Sequence, residues 1–273
     1  MGKREAYRIE VARHLQTALS SGDSLLLVDY LCSHSNLPGP RGNLELAWAF
    51  ADEVGEVASA RPDELWRLCN ALTTVTAAEA PVNDPREFSP FCGTVALGAL
   101  GSVVPGFWNE AIGRLRELAG DSRWRLREAV CMGLQRLLAT EFQQTVAVLG
   151  QWVATGDPYK LRAAAAAMAE PVLLRDPTSG EAGLRLHRGI LAEVEQMVER
   201  RSEAFRVLRQ GLGYTVSVVV QASPEEGWLF LEQLAASGDR DVRWIVRQNL
   251  TKNRLASRFP ERVLALQRQL DVS

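Results

Sequence analysis

This sequence predicts an all-α fold: a right-handed α-α superhelix of about six or seven helix pairs stacked side by side. Three observations carry that expectation. Apolar residues recur at helical spacing through nearly all of the 273 residues. Turn-formers interrupt them at intervals of roughly 15–20 residues. One short segment also returns. Arg123-Trp124-Arg125-Leu126-Arg127, introduced by Gly120-Asp121, comes back 120 positions later as Arg243-Trp244-Ile245-Val246-Arg247, introduced by Gly238-Asp239-Arg240-Asp241. That separation is three units of about 40 residues, inside the range of stacked supersecondary repeats. Weaker echoes of its second half, Leu161-Arg162 and Leu208-Arg209, fall between the two copies.

The elements follow in order. Over 4–20, Ile9, Ala12, Leu15 and Leu19 form a helical stripe that Ser21-Gly22-Asp23 ends. Residues 24–34 make a short second helix, and Leu37-Pro38-Gly39-Pro40-Arg41-Gly42-Asn43 is a rigid loop. Helices are predicted over 43–59 and, started by Arg61-Pro62-Asp63, over 63–79. A second loop from Pro81 to Pro90 contains Asn83, Asp84 and Pro85, and helices over 89–103 and 107–119 lead to Gly120-Asp121. Beyond it the spacing predicts helices over 122–139, 141–155, 158–170, 181–200, 202–221, 224–237, 240–258 and 260–270. Asp121, Asp157, Ser202 and Asp239 or Asp241 suit N-caps, whose side chains satisfy orphan N–H groups. The five alanines at 163–167 let a neighbouring helix approach closely, and Pro171 with the loop at 176–180 closes their helix. Residues 215–220 are β-branched apart from Ser217, so propensity alone reads them as a strand. With helical periodicity on both sides and no partner strand, they are expected to be the buried end of a helix. The whole of 1–273 reads as one repeat domain, divergent over 1–104 and clearer over 105–273.

Composition excludes more than it selects. Apolar residues at 47% and charged ones at 23% are ordinary globular values, and the net charge of −2 favours no partner class. The charge is uneven: residues 1–120 carry −5 and 121–273 carry +3, with 8 basic against 3 acidic residues over 239–270. A basic C-terminal end suits an anionic partner. Cys32, Cys69, Cys92 and Cys131 form no C-x-x-C, as expected of free thiols in a reducing compartment. His14, His34 and His187 are scattered and predict no metal site. No apolar leader and no run of about 18 apolar residues appears, so the expectation is a cytoplasmic monomer without membrane contact. Phosphate-binding, dinucleotide, zinc-protease and serine-nucleophile motifs are all missing, and no cofactor is predicted. Pro38-Gly39-Pro40-Arg41-Gly42 can present N–H groups to an anion, although a plain connector fits it better.

An acid usually stands six positions before the recurring arginine: Asp121/Arg127, Glu203/Arg209 and Asp241/Arg247, with Asp157/Arg162 one short. In this the chain resembles the HEAT-repeat family, whose second helices carry an aspartate near their start and an arginine six positions on. The resemblance covers about 105–273 well and 1–104 only as a pattern. It implies helix pairs joined by a ladder of acid–arginine bonds between neighbouring units, and a non-catalytic scaffold that binds a protein or duplex DNA on its concave side.

The remaining arginines bear on the partner. On one helix over 240–258, Arg240, Arg243, Arg247, Arg254 and Arg258 fall within about 60° of one another. Trp244 stands beside that band. Arg123 and Arg127 share a face in the same way, with Trp124 beside them. Guanidinium groups match phosphate oxygens bidentately and an indole stacks on a base or sugar, so these nine residues are the candidate nucleic-acid contacts. The stretch from Val242-Arg243-Trp244 through Phe259-Pro260-Glu261-Arg262 is also similar to a late repeat of the helical-repeat DNA glycosylases that remove alkylated purines. Their chemistry uses an aspartate four residues after a tryptophan. Here Trp-x-x-x-Asp occurs only at Trp48…Asp52, upstream of the arginine-rich helices, with glutamate versions at Trp124…Glu128 and Trp228…Glu232. No catalytic residue is therefore carried over. The expected function is a binding scaffold, with a DNA-binding or alkylation-repair protein as the alternative.

Overall fold

The computed structural model describes residues 2–272 and is all-helical, with no strand among the described residues. Two compact units make up the chain, one ending at Glu141 and the other beginning at Phe142.

The N-terminal unit holds α1 (Lys3–Ser21), α2 (Leu25–Ser33), α3 (Leu44–Val57), α4 (Pro62–Leu72), α5 (Phe88–Val103), α6 (Trp108–Leu118) and α7 (Trp124–Thr140). The odd-numbered helices stack in sequence, α1 on α3, α3 on α5 and α5 on α7, while the even-numbered ones pack against the helices beside them in the chain. In α1 the buried stripe is Val11, Leu15, Ala18 and Leu19, and Ile9 is 53% exposed. The face is thus rotated from the expected one, with Val11 taking the inward place given to Ile9. Gly22, with φ 76°, stops α1 in the left-handed region and donates its N–H to the Ala18 carbonyl at 2.9 Å. Asn43 caps α3 by accepting the Leu46 N–H at 3.2 Å.

Helix α4 ends at Leu72, short of the expected 79. Thr73 and Thr74 turn their hydroxyls back onto the Asn70 and Ala71 carbonyls at 2.7 Å, and the run of β-branched residues at 73–76 propagates a helix poorly. The resulting loop offers free carbonyls to its surroundings. Helix α5 is buried on every side from Phe88 through Gly101, as befits a helix with no polar face. It crosses α7 backbone to backbone. A Cβ on Gly98 would collide with the main chain of Gly133, so the contact requires glycine at that crossing.

The C-terminal unit holds α8 (Phe142–Val153), α9 (Pro158–Met168), α10 (Pro177–Gln196), α11 (Glu203–Ala222), α12 (Pro224–Ala235), α13 (Arg240–Leu250), α14 (Asn253–Ala256) and α15 (Pro260–Val272). Helix α11 is its spine, flanked by α9 and α13. Four of the five alanines at 163–167 are buried on α9, which lies against α11. Helix α10 starts four residues before the expected 181, because Asp176 accepts the Ser179 N–H at 3.2 Å and Pro177 occupies the first helical position. Residues 215–220 are helical and buried inside α11, as expected. Asn249 fixes α13 there: its amide donates to the Leu212 carbonyl and accepts the Ser217 N–H, at 2.8 and 2.7 Å.

All four cysteines are free thiols. Cys69, Cys92 and Cys131 are buried, and burial pushes the thiol of half-buried Cys32 up to about 11. His187 is fully buried on α10, its Nδ1 bonded to the Gly183 carbonyl at 2.9 Å. Loss of solvent lowers its pKa to about 4, partly opposed by that bond.

Candidate functional site

The first Arg-Trp copy is built into the N-terminal unit. Arg123 is 2% exposed, grips Asp121 at 2.8 Å and donates to the Val75 and Ala80 carbonyls at 2.9 and 3.3 Å. Those are the carbonyls left over where α4 stops early. Arg127 is buried too, donating to the Asp121 and Ser122 carbonyls at 2.8 and 3.2 Å. The expectation that Arg123 and Arg127 share an open basic face is therefore corrected: both guanidinium groups satisfy main-chain acceptors around the start of α7. Asp121 serves this cluster, accepting the Arg123 N–H at 2.7 Å.

Sequence reasoning overlooked Arg125, which is also buried. It pairs with Glu87 at 3.1 Å and donates to the Gly39 carbonyl and the Asn83 side chain at 2.5 and 3.2 Å. One side chain thus ties together both loops of this unit. Gly39 gives its N–H to Asn83 at 2.9 Å, so the proline-glycine loop is a braced connector. Trp124 is the member of the copy that faces solvent, 42% exposed with the Arg125 guanidinium 4.4 Å from its ring centre. It borders a shallow depression with Pro38, Pro40 and Val82.

The second copy, in the C-terminal unit, differs. The expected single helix over 240–258 breaks after Leu250, where Thr251 folds its hydroxyl onto the Gln248 carbonyl at 2.8 Å and α14 begins at Asn253. The break disperses the five-arginine band. Arg243 and Arg247 each donate to the Leu270 carbonyl at 2.7 Å, placing positive charge at the C-terminal end of α15. Arg254 donates to the Tyr214 hydroxyl at 2.6 Å, and Arg258 lies 5.4 Å from the Phe259 ring. Arg240 stays out in solvent, its side chain 88% exposed.

In place of a band, α11 and α13 frame a hollow of about 460 Å³ lined by Arg200, Phe205, Arg206, Arg209, Arg240, Asp241, Trp244 and Arg247. Arg200 enters from the segment before α11 and bonds Asp239 at 2.5 Å and Asp241 at 3.1 Å. Arg209 reaches Asp241 at 2.9 Å. The pair joins an arginine within α11 to an acid in the first turn of α13. Trp244 lies half-buried against Gly213, where a Cβ would stand 3.2 Å from the indole, and the Arg209 guanidinium lies 3.8 Å from its ring centre. Asp239 caps α13 through the Asp241 and Val242 N–H groups at 2.8 and 3.1 Å. Burial pushes the Asp239 carboxyl up, but those N–H groups and Arg200 outweigh it and hold the pKa below the usual value.

The hollow therefore gathers Arg240, Trp244 and Arg247 from the predicted set and adds Arg200, Phe205, Arg206 and Arg209. The spacing of Arg206 and Arg209, three apart on one helix, was the available signal for the additions. Its five arginines outnumber the two carboxylates that bind them, and the Arg206 side chain has no hydrogen bond or ion pair among the described residues.

The acids singled out beside tryptophans are differently placed. Asp52 sits between Arg4 and Arg136, the latter at 2.6 Å and 4.7 Å over the Trp48 ring. Burial raises its pKa, and the two arginines more than reverse that and lower it. Glu128 is half-buried on α7 and Glu232 exposed on α12. Among the described residues no group of three His, Cys, Asp or Glu is placed to hold a metal, and no helix is long and apolar enough to cross a membrane. No protein-family model matches this chain, and a search of curated proteins finds no match.

Proposed function

We propose that this chain is a non-catalytic, HEAT-like helical-repeat scaffold, a right-handed superhelix of helix pairs, that binds a macromolecular partner through its C-terminal unit. The observation that carries this reading is the hollow between α11 and α13, where five arginines and Trp244 converge on an open surface. The local stacking of alternate helices and the Arg209–Asp241 pair support the repeat architecture. Asp52 and Asp241, each clasped by two arginines, are poor candidates for an acid that must meet a reacting sugar, which supports a binding role.

The same arginines and indole favour DNA binding, of the alkylation-repair kind, as the second reading. Fluorescence anisotropy separates them. Labelled poly-glutamate and a labelled 20-base-pair duplex are titrated at low and physiological salt against the native chain and an Arg206→Glu/Arg240→Glu variant. The scaffold reading expects at least one polyanion to bind, with affinity falling steeply as salt rises and at least tenfold weaker in the variant. Binding of neither probe, or undiminished binding by the variant, overturns it. Preference for the duplex selects the DNA reading, and loss of methylated-purine release in Asp52→Asn would make that reading enzymatic.

A further inference from the structure

We infer that the occupant of the α11/α13 hollow is a phosphorylated serine or threonine within an extended peptide segment, an assignment that rests on the scaffold reading above and names its partner. The argument begins with the charge available. Arg200 and Arg209 are committed to Asp239 and Asp241, which holds their guanidinium groups in place before any ligand arrives. Arg206 has no ion pair, Arg240 stands in solvent 3.9 Å from Asp241, and Arg247 spends one donor on the Leu270 carbonyl. A guanidinium has five N–H donors, so these three retain most of theirs. Five arginines less two carboxylates leave a local excess of about three positive charges. A phosphoryl group brings roughly −1.5 to −2 and three strong acceptor oxygens, and so takes up most of that excess, whereas one carboxylate leaves about two positive charges unanswered.

Extent argues for a peptide and against a duplex. A duplex is held by phosphate contacts spread along a broad basic face. Here residues 142–273 carry 17 basic and 15 acidic side chains, so the unit as a whole is close to neutral, and five of its arginines meet at one hollow of about 460 Å³. Shape argues against a free small anion. The hollow is open along α11 and α13 and cannot enclose a small ligand as pockets normally do. A segment lying across it places its phosphate on Arg206, Arg240 and Arg247 and a neighbouring side chain on the edge of Trp244. Arginine clusters read phosphorylated motifs in this way.

The test uses the full chain and two fluorescein-labelled peptide mixtures, degenerate on both sides of a central phosphoserine or phosphothreonine and of its unphosphorylated counterpart. We expect the phosphorylated mixture to bind at least tenfold more tightly. That preference should disappear in Arg206→Ala/Arg240→Ala, whose two side chains make no hydrogen bond in the fold and can be removed without unfolding it. Equal binding of the two mixtures overturns the assignment, as does a preference that survives the double variant. Displacement of the peptides by inorganic phosphate at matching concentration also overturns it in favour of a free anion, and tighter binding of a 20-base-pair duplex overturns it in favour of nucleic acid. If the phosphorylated mixture fails while poly-glutamate binding still depends on Arg206 and Arg240, the scaffold reading stands and the phosphopeptide alone falls.

Discussion

At the start of α7, Arg123 is sealed inside the N-terminal unit, where it satisfies two loop carbonyls and an aspartate. At the start of α13, Arg243 is only half-buried and holds one carbonyl of the last helix, while Arg240 beside it projects into solvent. The two segments share Arg-Trp-x-x-Arg, and what separates them is the chain around them. The early end of α4 leaves a loop whose acceptors cover the first copy. The second copy faces α11 across Trp244, and its arginines stay at or near the surface. The same recurring arginine is thus sealed among loop acceptors in one copy and left at or near the surface in the other. Its sequence context alone does not distinguish the two.

Substitutions can break or sharpen that contrast. The largest effect is expected at Arg125, which belongs to the first copy alone. Arg125→Leu leaves Glu87, itself 0% exposed, without its cation, and thermal or denaturant unfolding should show a loss of about 3–5 kcal/mol. The position matching it in the second copy is Ile245, which is buried without any ion pair, so nothing comparable exists there. An unchanged midpoint for Arg125→Leu would mean that the two loops do not depend on this pair.

Next in size is the acid sensitivity that His187 gives the C-terminal unit. His187 titrates near 4 when folded and near 6.5 when unfolded, so between those values the unfolded chain binds a proton that the folded chain refuses. Stability is therefore complete above about pH 6.5 and falls by about 3 kcal/mol as pH drops toward 4. Denaturant unfolding at a series of pH values checks this. Asp157 and Asp239, with lowered carboxyl pKa values, lose stability in the same direction at lower pH, so the His187→Leu variant isolates the histidine part. A slope identical to the native one in that variant would remove the histidine from the account.

The smallest and most direct comparison sets Arg123→Ala against Arg243→Ala. The first strands an aspartate and two carbonyls and should cost about 2–3 kcal/mol, and the second removes one partly exposed bond worth about 1 kcal/mol. Equal losses in parallel melts would erase the distinction between the copies.

Helix order, and every helix but the short α14, were legible in the sequence because apolar spacing and cap residues are local signals. Asp157 and Ser202 cap as read, and the β-branched run at 215–220 is helical because the helix periodicity around it prevailed. Three misreadings share a cause. The overrun of α4, the late start of α10 and the missed break after Leu250 each turn on one or two side chains folding back on the main chain or capping it. Such bonds compete with helix propensity by small margins that periodicity does not register. The candidate site was half legible. Arg240, Trp244 and Arg247 stood out through the repeat, but Arg200, Phe205 and Arg206 lie about 40 residues upstream and join them only when α11 packs on α13.

The four thiols have a practical consequence. A thiolate is the species that attacks an alkylating dye, and burial keeps Cys69 and Cys92 protonated and Cys32 nearly so at neutral pH. Arg240→Cys would place a water-exposed sulfhydryl at the rim of the hollow, free to react far faster than these three. Maleimide attachment there would put a fluorophore beside Trp244 well before Cys32, Cys69 or Cys92 reacted.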